Sequence, residues 1–515
     1  MKPMHLALIA SVALVPACSR DAVEGANGIS TLTTVNVPAG WHPRVDSDAK
    51  VLVTLPLVGM DSTGMLQPRL AESWEHSDDY REWTVHLRRG VMWHDGMPFT
   101  ARDVAFTVSM WNDPQLRFWA GGLVESVEVV DDYTVHLVYE EPQLLDSWWD
   151  YWPEHVVRDL DRSTFWDWDY WGTPVGNGPF RAVRFEPEMF IELEANQDYY
   201  GGRPSIDRII MRGGRLDPVV ELLAGNADLA VLEPNDLAKF GDDPRFATYP
   251  RIALGRILAL YWNLEHELFQ DASVRRALTH AIDRHELQAA MGYPEGIPIV
   301  DWPFTRGQYA RGELPDPLPY DPTLAERLLE AAGWVDADGD GIREKAGREF
   351  VFEAVLPEDQ NAFRMATLVQ AALRRVGVQM GLQTMSVVIL DPKVSNPDFE
   401  AAFFSVTNHL QGWMGLDSVF GATSQIGYRN PEMHRLVDEA LSTVDLEQLD
   451  RIYSSMMELC SEDMPVTFLG IKIMYVVAHR RVRGFPPVLM KNPMAYVEDL
   501  WIEEDWEGTE SPHPD

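Results

Sequence analysis

Apolar residues recur along this chain with two different periods. In "EWTVHL" the residues Trp83, Val85 and Leu87 share one side and Thr84 and His86 the other, so a period of two predicts a half-buried strand. "DDYTVHLVYEEP" repeats the alternation from Tyr133 to Tyr139. In "YDPTLAERLLEAAGW" the period changes to that of a helix: Leu324, Leu328, Leu329 and Ala332 form a stripe. Asp321 suits its N-cap, Pro322 its first position and Gly333 its stop. "DASVRRALTHAIDRHELQAAMG", "NAFRMATLVQAALRRVGV" and "NPEMHRLVDEALSTV" each read as a further amphipathic helix. Strands and helices alternate without a fixed repeat, which predicts an α/β protein with helices packed on sheets.

At 515 residues the chain is too long for one ordinary core, so two or three lobes are expected. Its formal charge of -37 is spread along the sequence rather than gathered in a tail. That makes a solvated negative surface and argues against nucleic acid, whose phosphates need clustered Lys and Arg.

The first residues differ from the rest. Lys2 precedes an apolar run from Leu6 to Val15, too short to span a bilayer, and small residues lead to Cys18. The stretch resembles a bacterial lipoprotein signal over residues 1–17, after which Cys18 carries lipid and residues 18–29 form a tether. Pro16 departs from the usual motif. No later apolar run approaches ~18 residues. Cys460 is then the one thiol of the mature body. It shares helical spacing with Ile452, Met456 and Leu459, as a small core residue would. There is no CxxC and no Cys/His cluster with zinc spacing.

"GWVDADGDGIREKAGREF" begins like a calcium loop, with Asp336, Asp338 and Asp340 alternating before Gly341. Counted from Asp336, the ninth position is Glu344, but the twelfth is Gly347 where a closing Glu is required. "REFVFEAVL" then alternates like a strand. A turn between helix and strand is the preferred reading, with a weak calcium site as the alternative.

Several longer blocks occur in a characteristic order. "LQPRLAESWEHSDDYREWTVHLRRGVMWHDGMPFTARDV" is followed by "YWPEHVV", "TPVGNGPF" with "LEANQDYYGGRPSID", and "YWNLEHELFQDASVRRALTHAIDRHEL". From about Thr31 onward these resemble the family 5 solute-binding proteins of bacterial ABC importers, which include oligopeptide-, dipeptide- and nickel-binding proteins. The resemblance implies a periplasmic-binding-protein-like α/β fold: a two-lobe clamshell with an additional inserted lobe. It places lobe I at residues 30–62, 175–255 and 485–515, the inserted lobe II at 63–174, and lobe III at 256–484. It further implies a monomer that needs no cofactor, closes over a ligand and docks on membrane permease subunits. Their ATPase partner drives import, and this chain has no GxxxxGK[ST] loop of its own.

Peptide-binding members carry a "GW-x-A/G-D" segment whose Trp walls the cleft and whose Asp pairs with the peptide's amine. Here the segment reads "QGWMGLDSVFG": Trp413 and Gly415 match, Leu416 stands at the acidic position, and Asp417 comes one residue late. Trp413, Gly415 and Asp417 are therefore the expected ligand contacts, with Asn408 and His409 nearby. Leu416 puts recognition of a free amine in question. Trp148, Trp149, Trp152, Trp166, Trp168 and Trp171 crowd one short span. They suit either stacking on sugar rings or packing of the inserted lobe, and packing is preferred. "HELFQ" at His266 and "HELQA" at His285 lack the second His of a zinc protease, and there is no GxSxG elbow, so no enzyme is expected. The expectation is an extracytoplasmic lipoprotein in the periplasm or at the cell surface that captures peptides. An oligosaccharide or another organic solute, or a sensory role on the same fold, stands behind it.

Overall fold

The computed structural model describes residues 29–35, 49–60, 66–116, 123–145, 150–167, 169–214, 216–295, 297, 299–302, 316–395, 398–407, 416–489, 492–504 and 506. The signal segment and Cys18 lie outside them.

A ten-stranded sheet organises the described chain. In order across it lie Gln379–Met385, Val351–Pro357, Ala401–Thr407, Phe246–Trp262, Val466–His479, Leu229–Leu232, Thr31–Val35, Arg208–Arg212, Phe190–Ala195 and Phe180–Glu186. Its two wings are largely parallel at their inner strands. Thr31–Val35 runs parallel to both Arg208–Arg212 and Leu229–Leu232. Val351–Pro357 runs parallel to both Gln379–Met385 and Ala401–Thr407.

The wings have separate cores. Leu32, Phe180, Leu193, Ile209 and Leu500 share one cluster, and Val219, Leu222 and Phe240 another. Across the sheet, Trp262, Phe269, Phe352, Val369 and Leu373 belong to a third, while Leu390, Leu416, Phe420 and Met456 belong to a fourth. Only the long antiparallel pair Phe246–Trp262 and Val466–His479 contributes to clusters on both sides among the described residues. Their pairing shifts register between Ile252 and Ile257, which face Ile473 and Ile471. A bulge of this kind breaks ladder bonds locally and lets a sheet bend there.

The remaining large unit is a four-stranded antiparallel sheet, ordered Ala71–His76, Glu82–Leu87, Thr134–Tyr139 and Val124–Asp131. Both strands expected from alternation are present in it. The helix Ala101–Trp111 packs on it, opened by a capping box between Thr100 and Asp103. The core here is aromatic: Trp83, Trp93, Phe99, Trp111, Trp152, Phe165 and Trp171 are all buried. The loop at Gly176–Gly178 docks this unit against the main body. A Cβ on Gly176 would meet the Val53 carbonyl oxygen at 1.9 Å, so only glycine fits. His94 meets the same loop, its Nδ1 accepting from Gly176 N at 3.2 Å and its Nε2 facing the Gly178 carbonyl at 3.1 Å. Burial pushes the imidazole down to about 4.

Helix Pro322–Ala331 forms as expected, with Asp321 capping Leu324 N at 2.8 Å. The stretch read as one helix from Asp271 is instead two, Ala272–His280 and Arg284–Ala290. Asp283 is the cause. Its carboxylate accepts from the His285 and Glu286 amides and starts a new helix in mid-stripe. The break turns Arg284 inward, where it pairs with Asp301 and donates to the Leu318 carbonyl at 2.5 Å.

Candidate functional site

Parallel strands place their carboxyl ends together, and in open α/β sheets ligands bind in the crevice beyond those ends. In one wing the strands ending at Val35 and Leu232 share that side. In the other, the strands ending at Pro357, Met385 and Thr407 do. Of the segments that follow these strands, those after Leu232, Pro357 and Met385 are described, and they lie at the ends that face the crevice.

Two of those segments touch. Beyond Leu232 the chain turns into a short 3-10 helix, Pro234–Lys239, whose Leu237 packs on the Val219–Phe240 core. Beyond Pro357, Asp359 caps the helix Gln360–Arg375 by accepting from Ala362 N at 2.8 Å. Asn235 Nδ2 donates to Asn361 Oδ1 at 2.5 Å, and the Arg364 guanidinium donates to Asn235 Oδ1. Beside them Lys472, on the long shared strand, pairs with Glu233 at 3.2 Å. Pro234 lies against Gly292, where a Cβ would approach it to 3.1 Å. Arg364 is exposed and, among the described residues, forms no ion pair; its guanidinium is held by Asn235 alone.

The segment after Met385 brings apolar surface to the rim. Helix Val387–Ser395 buries Leu390 and Val394 in the cluster holding Leu416, Phe420 and Trp302. Its Val388 is 83% exposed, the most of any large apolar side chain among the described residues, and its neighbour Ile389 56%. The segment after Thr407 carries Asn408, His409, Trp413 and Gly415, all outside the described residues. Leu416 and Asp417 open the helix Leu416–Phe420 that follows. Leu416 is fully buried in the cluster that holds Trp302 and Phe420, whereas Asp417 is exposed. Because the backbone is helical here, the one-residue offset turns the carboxylate by about 100° rather than to the opposite face. Asp417 Oδ2 accepts from Thr423 Oγ1 at 3.2 Å.

The alternating carboxylates lie elsewhere. Oxygens of Asp336, Asp338 and Asp340 come within 4.8 Å of one another and all three residues are exposed. Asp336 accepts from Gly339 N and Gly341 N, Asp338 from Asp340 N and Asp340 from Ile342 N. Glu344 accepts from Ala337 N at 2.8 Å and pairs in a two-residue ladder with Glu349. These are turn contacts. The tryptophans at 152, 166 and 171 pack on one another and on Phe165 inside the inserted unit. Trp148, Trp149 and Trp168 carry no described side chain. Cys460 is buried in the fourth core, and burial pushes its thiol well above the usual range.

Sequence reading missed Asn235, Asn361 and Arg364. A signal was present: "EPND" and "PEDQN" are polar runs that each follow an apolar strand directly, where a crevice lining would start.

Residues 65–424 match the family described as bacterial extracellular solute-binding proteins, family 5 Middle. The oligopeptide-binding protein AppA of Bacillus subtilis is 27% identical over 465 residues, covering 84% of this chain and 83% of its own. The heme-binding protein A of Haemophilus influenzae is 25% identical over 528 residues, covering 92% of each. Among solved structures, the ABC transporter substrate binding protein CtaP from Listeria monocytogenes superposes with a TM-score of 0.78 at 20% identity, over 92% of this chain and 99% of that one. The fold is thus the periplasmic-binding-protein-like α/β fold expected from the motifs. The chain belongs to the family 5 extracellular solute-binding proteins of bacterial ABC importers.

Proposed function

We propose that this solute-binding protein captures peptides in the crevice between the two wings of its large sheet and presents them to a membrane permease. The carrying observation is that Arg364, a cation without an ion pair among the described residues, and the exposed aliphatic Val388 and Ile389 both stand on helices that follow crevice-facing strand ends. A peptide offers a carboxylate to the first and side chains to the second, and a charge-assisted bond in a closed crevice is strong. Asp417, free of any cation among the described residues, is assigned the peptide amine, with Trp413, Gly415 and Asn408 walling the site. The bulge between Ile252 and Ile257 serves as the hinge between lobes I and III, and Cys18 as the lipid anchor.

The relative named for oligopeptides supports this reading, and the relative named for heme keeps a non-peptide ligand in view. A sugar ligand gains little support, since Trp152 and Trp171 spend their faces on neighbouring rings. Native mass spectrometry of the purified chain, before and after denaturing release, tests the proposal. A heterogeneous set of released peptides is the expected result. A single sugar, heme or other solute would reassign Arg364 and Asp417.

A further inference from the structure

The contact at Asn235 joins two cores that, among the described residues, also meet through the long strand pair and where Pro234 lies against Gly292. Asn235 belongs to the Pro234–Lys239 turn, seated on the Val219–Phe240 core. Asn361 and Arg364 belong to the helix whose Met365, Ala366 and Val369 fill the core on the far side. One amide serves both partners at once: its Nδ2 donates to Asn361 and its Oδ1 accepts from Arg364. The neighbouring Lys472–Glu233 pair differs in kind. Lys472 sits on a shared strand at the bulge, so it can follow either wing when the sheet bends there.

We infer that Asn235 is a latch that holds lobes I and III together before any ligand arrives. Opening the crevice must separate Asn235 from both partners, because they ride on different cores. Each polar group is then met by water, so the latch is weak and reversible. A bond of that size is enough to set how much of the ligand-free protein is closed, and the closed share sets the apparent ligand affinity. The latch also gives Arg364 a neutral partner while the crevice is empty, which orients the guanidinium without neutralising it. The inference rests on the clamshell reading of the two lobes, though not on the ligand being a peptide.

The test is the distance between the lobes in the ligand-free chain. Met189 and Leu441 are exposed on the two sides, and Cys460 is buried. Cys18→Ser chain carrying spin labels at Met189→Cys and Leu441→Cys reports that distance by electron–electron resonance. Asn235→Ala removes both bonds, and the long-distance population should rise about tenfold, the worth of one net bond to a charged group. Arg364→Ala should act in the same direction. Asn235→Asp gives up the bond donated to Asn361 but sets a carboxylate against Arg364, and the charge-assisted pair should shift the distribution toward the short distance. If the alanine variant folds poorly, Arg364→Ala and Asn235→Asp still pull in opposite directions. Identical distributions in all four chains would overturn the latch. A random nonapeptide pool is then added as probe. If it closes neither the parent nor the open variant, the peptide reading fails, while the latch still stands or falls on the ligand-free distances.

Discussion

The inserted four-stranded unit and the crevice both attract attention as ligand sites, for opposite reasons. The insert is dense with aromatic rings, yet these rings touch one another. Trp152 lies 5.5 Å from Phe165 and 5.7 Å from Trp171, and Trp83 is sealed with its Nε1 donating to the Tyr80 and Gln143 carbonyls. In the crevice, among the described residues, Asn235 reaches across from one core to Asn361 and Arg364 on another. Aromatic density therefore marks where the chain is held together, and thin cross-core contact marks where it is built to move.

The comparison can be broken most easily where it predicts the most. Trp83→Ala should cost about 3–5 kcal/mol of stability, read by denaturant unfolding, because a large buried ring leaves a cavity. Ligand affinity measured well below the melting temperature should stay near that of the parent. A ligand loss without a stability loss would make the insert a binding site after all.

Arg284→Met should cost a comparable 3–5 kcal/mol, roughly, since it strands Asp301 as an unpaired charge at a site where both side chains are almost wholly buried. Adding Asp301→Leu should recover much of that in the same unfolding assay. Failure to recover would show that the bonds to Leu318, rather than the charge, set the cost.

His94 supplies a pH test of the seam between insert and body. Its folded-state value, about 4, lies below the 6.5 of the free imidazole, so the folded chain refuses a proton that the unfolded chain accepts. The contribution is complete above pH 6.5 and is lost as pH falls toward 4, about 3 kcal/mol in all. His94→Gln should flatten the melting temperature over that window.

At the crevice the expected effects are on binding. Arg364→Ala should weaken a carboxylate-bearing peptide about tenfold in isothermal titration, with the melting temperature of the ligand-free chain nearly unchanged. The smallest effect belongs to the acidic hairpin. Asp338 is exposed and caps only Asp340 N at 3.1 Å, so Asp338→Ala should move stability by no more than about 0.5 kcal/mol, with or without millimolar calcium.

What could be read from sequence follows from where the physics is local. Strands at Glu82–Leu87 and Thr134–Tyr139 and the helix capped by Asp321 were legible because side-chain period and cap chemistry lie within a dozen residues. The broken helix at Asp283 was not, because the apolar stripe runs on while the cap interrupts the backbone. Asp417 was legible as a candidate, but its helical setting was not. Asn235 and Arg364 stand 129 residues apart, and neither has a local pattern that names the other. They meet because the antiparallel strands Phe246–Trp262 and Val466–His479 join the two wings with the carboxyl ends of their parallel strands facing each other.

The two long strands that join the wings are bonded to each other, side by side, through Phe246–His479 and onward to Tyr261–Val466. Two separate tethers would allow the wings to slide, twist or part independently. A single ribbon of paired strands whose two register shifts fall close together, between Ile252 and Ile257 and at Leu258–Ala259, favours a swing about that place. On the proposed clamshell reading, the opening of the molecule reduces to one angle, and one well-chosen distance reports it. A fluorophore pair straddling the crevice would make this protein a ratiometric sensor of its own cargo, with no need to know in advance what the cargo is.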